Sequence, residues 1–203
     1  MKITAIKQQV KKPERVSVFV DEKYSFSLSL DELLKHKIKQ GMDVDQADIK
    51  RFKKISDDGK LRMRSLEWLL NRPRSTREFQ DYLYRKKAEA ELTESLIKEF
   101  GRRGYLDDQK FGEWFIELQQ RRNKSNRAVR AELFKKGLDR ELIEELMIGE
   151  SDDEAERLKA LVAKKSKLLR YRQNPQKLAE YLTRQGFSWD LVKASIKSIE
   201  SES

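Results

Sequence analysis

The sequence predicts a mainly α-helical protein, with three tandem three-helix repeats following a small N-terminal β-hairpin-plus-helix segment. Three observations predict it. A polar helix start followed by apolar residues four and eight positions on recurs three times after about residue 60. The segment before about 58 differs in texture, with runs over residues 16–28 that alternate with period two instead. Hydrophobic residues make up 37% of the 203-residue chain and charged residues 39%, which suits an extended helical array with much exposed surface per residue.

In the N-terminal segment, Val16, Val18 and Val20 alternate with other residues, Asp21-Glu22-Lys23 intervenes, and Tyr24, Phe26 and Leu28 alternate again. Two such runs around a short polar connection read as a β-hairpin, and Ile3 to Val10 adds a third strand. Ser29-Leu30-Asp31-Glu32 has the capping-box pattern, in which a Ser oxygen and a Glu carboxylate satisfy the free N–H groups of a helix start. The helix it opens is expected to reach about Lys39 and stop at Gly41, with a second short helix over about 45–55. Ser56-Asp57-Asp58-Gly59 reads as the linker.

Beyond it, Ser75 opens a helix with Phe79, Tyr82 and Leu83 on its apolar face. Ser125 opens one carrying Val129 and Leu133, and Asn174-Pro175 one carrying Leu178, Tyr181 and Leu182. Each is followed by another helix: Leu92, Leu96 and Ile97 are matched with Leu138, Leu142 and Ile143, and with Phe187, Leu191 and Val192. Gly137 and Gly186 stand where a helix C-terminus favours a left-handed residue; the first unit has Lys87 there and is read with a longer connection. A helix also precedes each of the three: Leu61 to Leu70, Asp107 to Gln120, and a longer one from the Ser151-Asp152-Asp153-Glu154 box. The resulting division is 1–58, 59–104, 105–149 and 150–203.

No catalytic constellation accompanies this pattern, so the chain is expected to be neither an enzyme nor a cofactor or metal binder. Without cysteine, thiolate chemistry, thiolate metal sites and disulfides are excluded. His36 is the single histidine and sits among Lys35, Lys37 and Lys39 with no acidic partner. Gly101-Arg102-Arg103-Gly104 lacks the spacing of a phosphate loop. Asp107-Asp108 could hold a cation, but directly before an amphipathic helix it reads as a cap. Trp68, Trp114 and Trp189 fall on helical stripes and read as core in preference to stacking platforms. No apolar run has the length of a signal peptide or a membrane span, so a cytoplasmic protein is expected.

The net charge of +10 points to polyanions or acidic surfaces, and its placement follows the repeat. Basic residues gather where the first and second helices of each unit meet: Arg72, Arg74 and Arg77; Arg121, Arg122, Lys124, Arg127 and Arg130; Lys164, Lys165, Lys167, Arg170 and Arg172. The segment 138–156 is acidic instead, with Asp139, Glu141, Glu144 and Glu145. Units stacked in register would carry a discontinuous basic stripe on one side. Such a stripe suits phosphates or an acidic protein groove, and direct DNA contact would be to the backbone and steeply salt-dependent.

Four stretches resemble the RecX regulatory proteins of bacteria: Leu70-Asn71-Arg72-Pro73-Arg74-Ser75; Gly104-Tyr105-Leu106-Asp107-Asp108 with Lys110-Phe111; Leu133-Phe134-Lys135-Lys136-Gly137-Leu138; and Leu182-Thr183-Arg184-Gln185-Gly186-Phe187. The likeness covers roughly residues 60 to 200 and says less about the N-terminal segment, which only some relatives have. Gly112 and Trp114 stand where the family more often has Ala and Tyr. The resemblance implies an elongated, curved array of three three-helix repeats. It also implies binding to the RecA recombinase and its filament on single-stranded DNA, with inhibition of strand exchange, ATPase and coprotease activities in recombination, repair and the SOS response. Weak direct binding to single-stranded or duplex DNA backbone, a monomeric state and no membrane or cofactor complete the expectation.

Overall fold

A computed structural model of the chain describes residues 1–148 and 150–201, with side chains over 1–148 and 154–198. Strands β1 (Ile3–Gln9), β2 (Lys12–Val20) and β3 (Lys23–Ser29) form one antiparallel sheet in the order β1-β2-β3. Eleven helices among the described residues follow: α1 (Leu30–Lys35), α2 (Gln46–Leu70), α3 (Thr76–Arg85), α4 (Ala90–Arg102), α5 (Asp108–Arg121), α6 (Asn126–Lys135), α7 (Arg140–Leu146), α8 (Glu150–Ser166), α9 (Leu169–Arg172), α10 (Pro175–Arg184) and α11 (Trp189–Ser201). The chain divides into two compact units, residues 1–72 with 87–98, and residues 73–86 with 99 onward.

In the first unit the predicted strands pair as expected. Val18 faces Phe26 and Val16 faces Leu28 across the hairpin, and a bulge after Val18 shifts the register so that Phe19 meets Tyr24. The connecting residues Asp21 and Glu22 adopt φ of 47° and 67°, the left-handed pair that matches strand twist in a two-residue turn. Thr4 holds this turn from β1, its hydroxyl accepting from the Glu22 amide at 2.9 Å. One sheet face carries Val16, Val18, Val20, Phe26 and Leu28 into a core closed by Ile3, Ile38, Val44, Ile49 and Phe52. The Phe26 and Phe52 rings lie 5.6 Å apart.

Two expectations for this unit are corrected. Helix α1 opens on the predicted Ser29–Glu32 capping box but ends at Lys35, not Lys39. Lys37 turns left-handed (φ 51°), its amide and that of Ile38 donate back to Leu34 and Leu33 carbonyls, and Ile38 drops into the core. Second, residues 56–59 form no linker: α2 runs without a break from Gln46, through the predicted 45–55 helix, to Leu70. Gly59 is there for room. A Cβ at 59 would collide with the Glu32 carboxylate, whose other oxygen accepts from the Ser29 amide at 2.7 Å in the capping box.

The second unit holds α3 and α5 to α11 of the repeated helices, while residues 87–98, with most of α4, belong to the first. Ser75, Ser125 and Asn174 are the N-caps of α3, α6 and α10, each accepting from the amide three residues on. Gly137 and Gly186 have φ of 89° and 99° after the C-caps of α6 and α10. The longer first connection is also corrected. Lys87 is left-handed as well (φ 58°), and α4 starts three residues after it, as α7 and α11 start three residues after their glycines. Leu92 therefore corresponds to Leu142, and Ala88 takes the place of Leu138; matching the first leucines in sequence shifted the register by four.

Two apolar clusters fill this unit. Phe111, Phe115, Ile116, Val129, Leu133, Leu138, Ile143 and Met147 form one. Leu158, Leu161, Val162, Tyr171, Leu178, Ala179, Leu182, Phe187 and Val192 form the other. Gly112 lets α7 close on α5, since a Cβ there would strike Leu146 and stand 3.1 Å from Leu138. The helix expected from about Ser151 is α8, 17 residues ending at Ser166, and the short α9 after it turns Tyr171 inward, 5.8 Å from the Tyr181 ring. Of the capping box at 151–154, the Ser151, Asp152 and Asp153 side chains lie outside the described residues. Trp68 and Trp114 are half-buried, but Trp189 is 55% exposed and is not a core residue.

Candidate partner-binding surface

The predicted basic junctions are built around a repeated end-to-end contact between second helices. Ser75, which caps α3 by accepting from the Glu78 amide at 3.1 Å, donates its hydroxyl proton to the Lys136 carbonyl at the end of α6, 2.7 Å away. Lys136 Nζ returns to the Glu78 carboxylate at 2.8 Å. The N-terminus of α6 meets the end of α10 in the same way: the Ser125 amide donates to the Gln185 carbonyl at 3.0 Å. A helix N-terminus thus faces a C-terminus at both junctions, which aligns the dipoles head to tail.

The glycines make this approach possible. A Cβ on Gly137 would stand 2.6 Å from Arg77 Cβ, and one on Gly186 would lie 2.7 Å from Ala128 Cβ and strike the Ser125 hydroxyl. Each junction also borrows a carboxylate from the next unit's first helix. Asp108 of α5 accepts from the Thr76 amide at 2.7 Å, and Glu154 of α8 accepts from the Asn126 amide at 2.6 Å. Both amides belong to the first residue of a helix, one of the N–H groups that no turn can satisfy. In α10 that residue is Pro175, which has no N–H to satisfy. The Asp107-Asp108 pair is therefore two caps: Asp107 for its own helix, through the Lys110 amide at 3.0 Å, and Asp108 for α3.

The structure places the predicted basic residues unevenly around these junctions. Arg77 is exposed, with its aliphatic stem laid over Gly137 beside Lys136. Arg72, in the first unit, and Arg74, in the second, are half-buried and carry contacts of their own. Arg122 and Arg127 are exposed on either side of the α5–α6 turn, Lys124 within it is half-buried, and Arg121 pairs with Glu117. Arg130 faces away into the groove between α6 and α7, 3.4 Å from Glu144. In the third cluster Lys164, Lys167 and Arg172 are exposed, while Lys165 lies over the Tyr181 ring at 5.2 Å and Arg170 over Tyr171 at 4.5 Å.

Sequence reasoning missed Arg140, which shares the α6–α7 groove with Arg130, and the exposed rings of Tyr84 and Phe134. Their signal was positional: Tyr84 and Phe134 are both the penultimate residue of a ten-residue second helix. Among the described residues no group of acids and histidine could hold a metal ion, and no helix is long and apolar enough to cross a membrane.

A small antiparallel sheet followed by helices whose second members dock end to end defines a helical-repeat protein. The model of the regulatory protein RecX N-terminal domain matches residues 1–45, and that of the RecX second three-helix domain matches 107–147. The regulatory protein RecX of Bacillus licheniformis is 34% identical over 206 residues, covering 98% of this chain and 78% of the relative. That of Bacillus subtilis is 33% identical with the same coverage, and one from Listeria monocytogenes is 31% identical over 100% of this chain and 77% of its own. The chain belongs to the RecX family of regulatory proteins. A crystal structure of a regulatory protein RecX shares the fold at a TM-score of 0.71 and 24% identity, over 97% of this chain and 98% of that one. The RecX structure from Lactobacillus salivarius aligns at 0.57 and 22%, over 71% and 97%. The match to residues 1–45 extends the family likeness to the N-terminal sheet.

Proposed function

We propose that this chain binds the RecA recombinase and its filament on single-stranded DNA, and lowers its recombinase, ATPase and coprotease activities. On this reading it is a monomeric cytoplasmic regulator, not an enzyme, whose three repeats span 59–104, 105–149 and 150–203. The observation that carries it is the basic cluster recurring at each first-to-second helix junction, in a chain of the RecX family. Subunits of a filament repeat, and so do these clusters. Linked clusters that engage neighbouring subunits gain effective concentration without new kinds of contact. The contacting residues are proposed to be Arg72, Arg74, Arg77, Arg121, Arg122, Lys124, Arg127, Arg130, Lys164, Lys165, Lys167, Arg170 and Arg172.

Co-sedimentation with RecA–single-stranded DNA filaments, beside naked single-stranded and duplex DNA at physiological salt, tests this. Preferential pelleting with the filament and a lowered RecA ATPase rate are expected. Equal retention by naked DNA would favour a stand-alone DNA-binding protein instead. Charge reversal at Arg77, Arg127 and Lys164 together should abolish the ATPase effect while helix content by circular dichroism stays the same. All three are exposed, and full retained inhibition overturns the assignment of this surface.

A further inference from the structure

We propose that the second and third helices of the repeats carry stacking stations for unpaired nucleobases, built on Tyr84, Phe134 and Trp189. It extends the proposed function to a second chemistry and rests on the repeat alone. The three rings are 84%, 65% and 55% exposed. Tyr84 and Phe134 occupy the same place in successive units, the penultimate residue of α3 and of α6. In the third unit that place is held by Thr183, and the aromatic stands instead at Trp189, the first residue of α11, where the second unit has Arg140 as the first residue of α7. Each unit thus presents one exposed aromatic at its second-to-third helix corner, although the position that supplies it changes.

Cations accompany each ring. Arg85 and Lys86 follow Tyr84 and are exposed, with the Lys86 ammonium over the Tyr82 ring at 5.6 Å. Phe134 is flanked by Lys135 and shares a groove with Arg130, Arg140, Ala131, Ile143 and Glu144. Lys193 lies one turn along α11 from Trp189, on the same face. The Phe134 groove is open and shallow, about 240 Å³, below the roughly 300 Å³ at which pockets for whole drug-sized ligands begin.

An exposed ring beside a guanidinium or ammonium matches one unit of a nucleic-acid single strand, which offers a π-face and a phosphate. A protein partner's anchor would call for a wholly apolar surround. Each ring instead has a basic residue within one turn of it, alongside Ala131, Ile143 and Glu144 in the case of Phe134, and the net charge of +10 favours a polyanion. Duplex DNA keeps its bases stacked inside, so the stations select single strands.

The test is fluorescence anisotropy of the full chain, without RecA, on two probes of equal charge. One is an oligothymidylate of about 15 nucleotides; the other is an abasic strand of the same length. Stronger binding to the based strand is expected. Phe134→Ala should weaken it roughly five- to tenfold, with Tyr84→Ala and Trp189→Leu acting in the same direction. Binding to the abasic strand should be unchanged in every variant. Equal affinity of the unaltered chain for both probes, or equal loss on both in the variants, overturns the proposal. Because RecA is absent, either result is independent of the filament-binding outcome.

Discussion

Gly137 and Lys87 show how one left-handed position is used in two ways. Both follow the C-cap of a second helix, at φ of 89° and 58°. At Gly137 the backbone conformation and the Arg77 stem both exclude a side chain. Gly137→Ala should therefore destabilise by more than the ~1–2 kcal/mol of left-handed strain alone. At Lys87 a side chain already bears that strain. Lys87→Gly should lie between no change and about 1 kcal/mol of stabilisation, since relieved strain is opposed by the greater entropy of glycine in the unfolded chain. Urea titration of the two variants measures both; a destabilised Lys87→Gly would sink the comparison. Asp107 adds a pH dependence. The Lys110 amide holds its carboxyl below the usual carboxylate range, against an opposing push from burial. A lowered folded-state pKa contributes stability that is present above the unfolded value near 3.8 and is lost as pH falls through the folded value. Asp107→Asn should flatten the acid side of the stability profile, and Asp107→Ala should cost about 1 kcal/mol near neutrality. Thermal melts from pH 7 down to about 3 test both.

At the scale of elements, the junction carboxylates make a sharper claim. Asp108 satisfies the Thr76 amide of α3, and α10 avoids that need by having Pro175 as its first residue. Ser75 already has φ −74° and ψ 157°, the extended conformation required before proline. Thr76→Pro should be tolerated and should make Asp108 dispensable. In a double-mutant cycle, Asp108→Ala alone should cost about 1–2 kcal/mol and nearly nothing on the Thr76→Pro background. Additive losses would show that Asp108 does not act through that amide. The sequence announced Ser75, Ser125, Asn174 and Asp107 as caps because capping is read within four residues. Asp108 and Glu154 act across 32 and 28 residues, and no local pattern carries that information. The misread linker has a similar cause: Gly59 matches a break signal, and its reason for being small is Glu32, brought up by a separate helix.

At the scale of the whole molecule, the proposed function rests on what the repeats present outward. The basic clusters were legible because charge at helix junctions repeats with the same period as the caps. Legibility failed where exposure decides. Trp189 lies on an apolar stripe by spacing yet stands in solvent, and Arg130 falls within a basic run yet faces Glu144 in the α6–α7 groove. If base stations and basic junctions act together, the triple charge reversal should remove filament effects and weaken based and abasic strands alike. Phe134→Ala should change only the preference for bases. Measuring both variants on both probes separates the two chemistries.

The sequence by itself determined the helical repeat, the strand hairpin, the capping residues and the positive charge, since each depends on residues within one or two turns of each other. The tertiary structure alone decided which helix ends meet, why Gly59, Gly112, Gly137 and Gly186 must be small, and which rings and cations stay in solvent. Those depend on surfaces that touch only after the chain has folded.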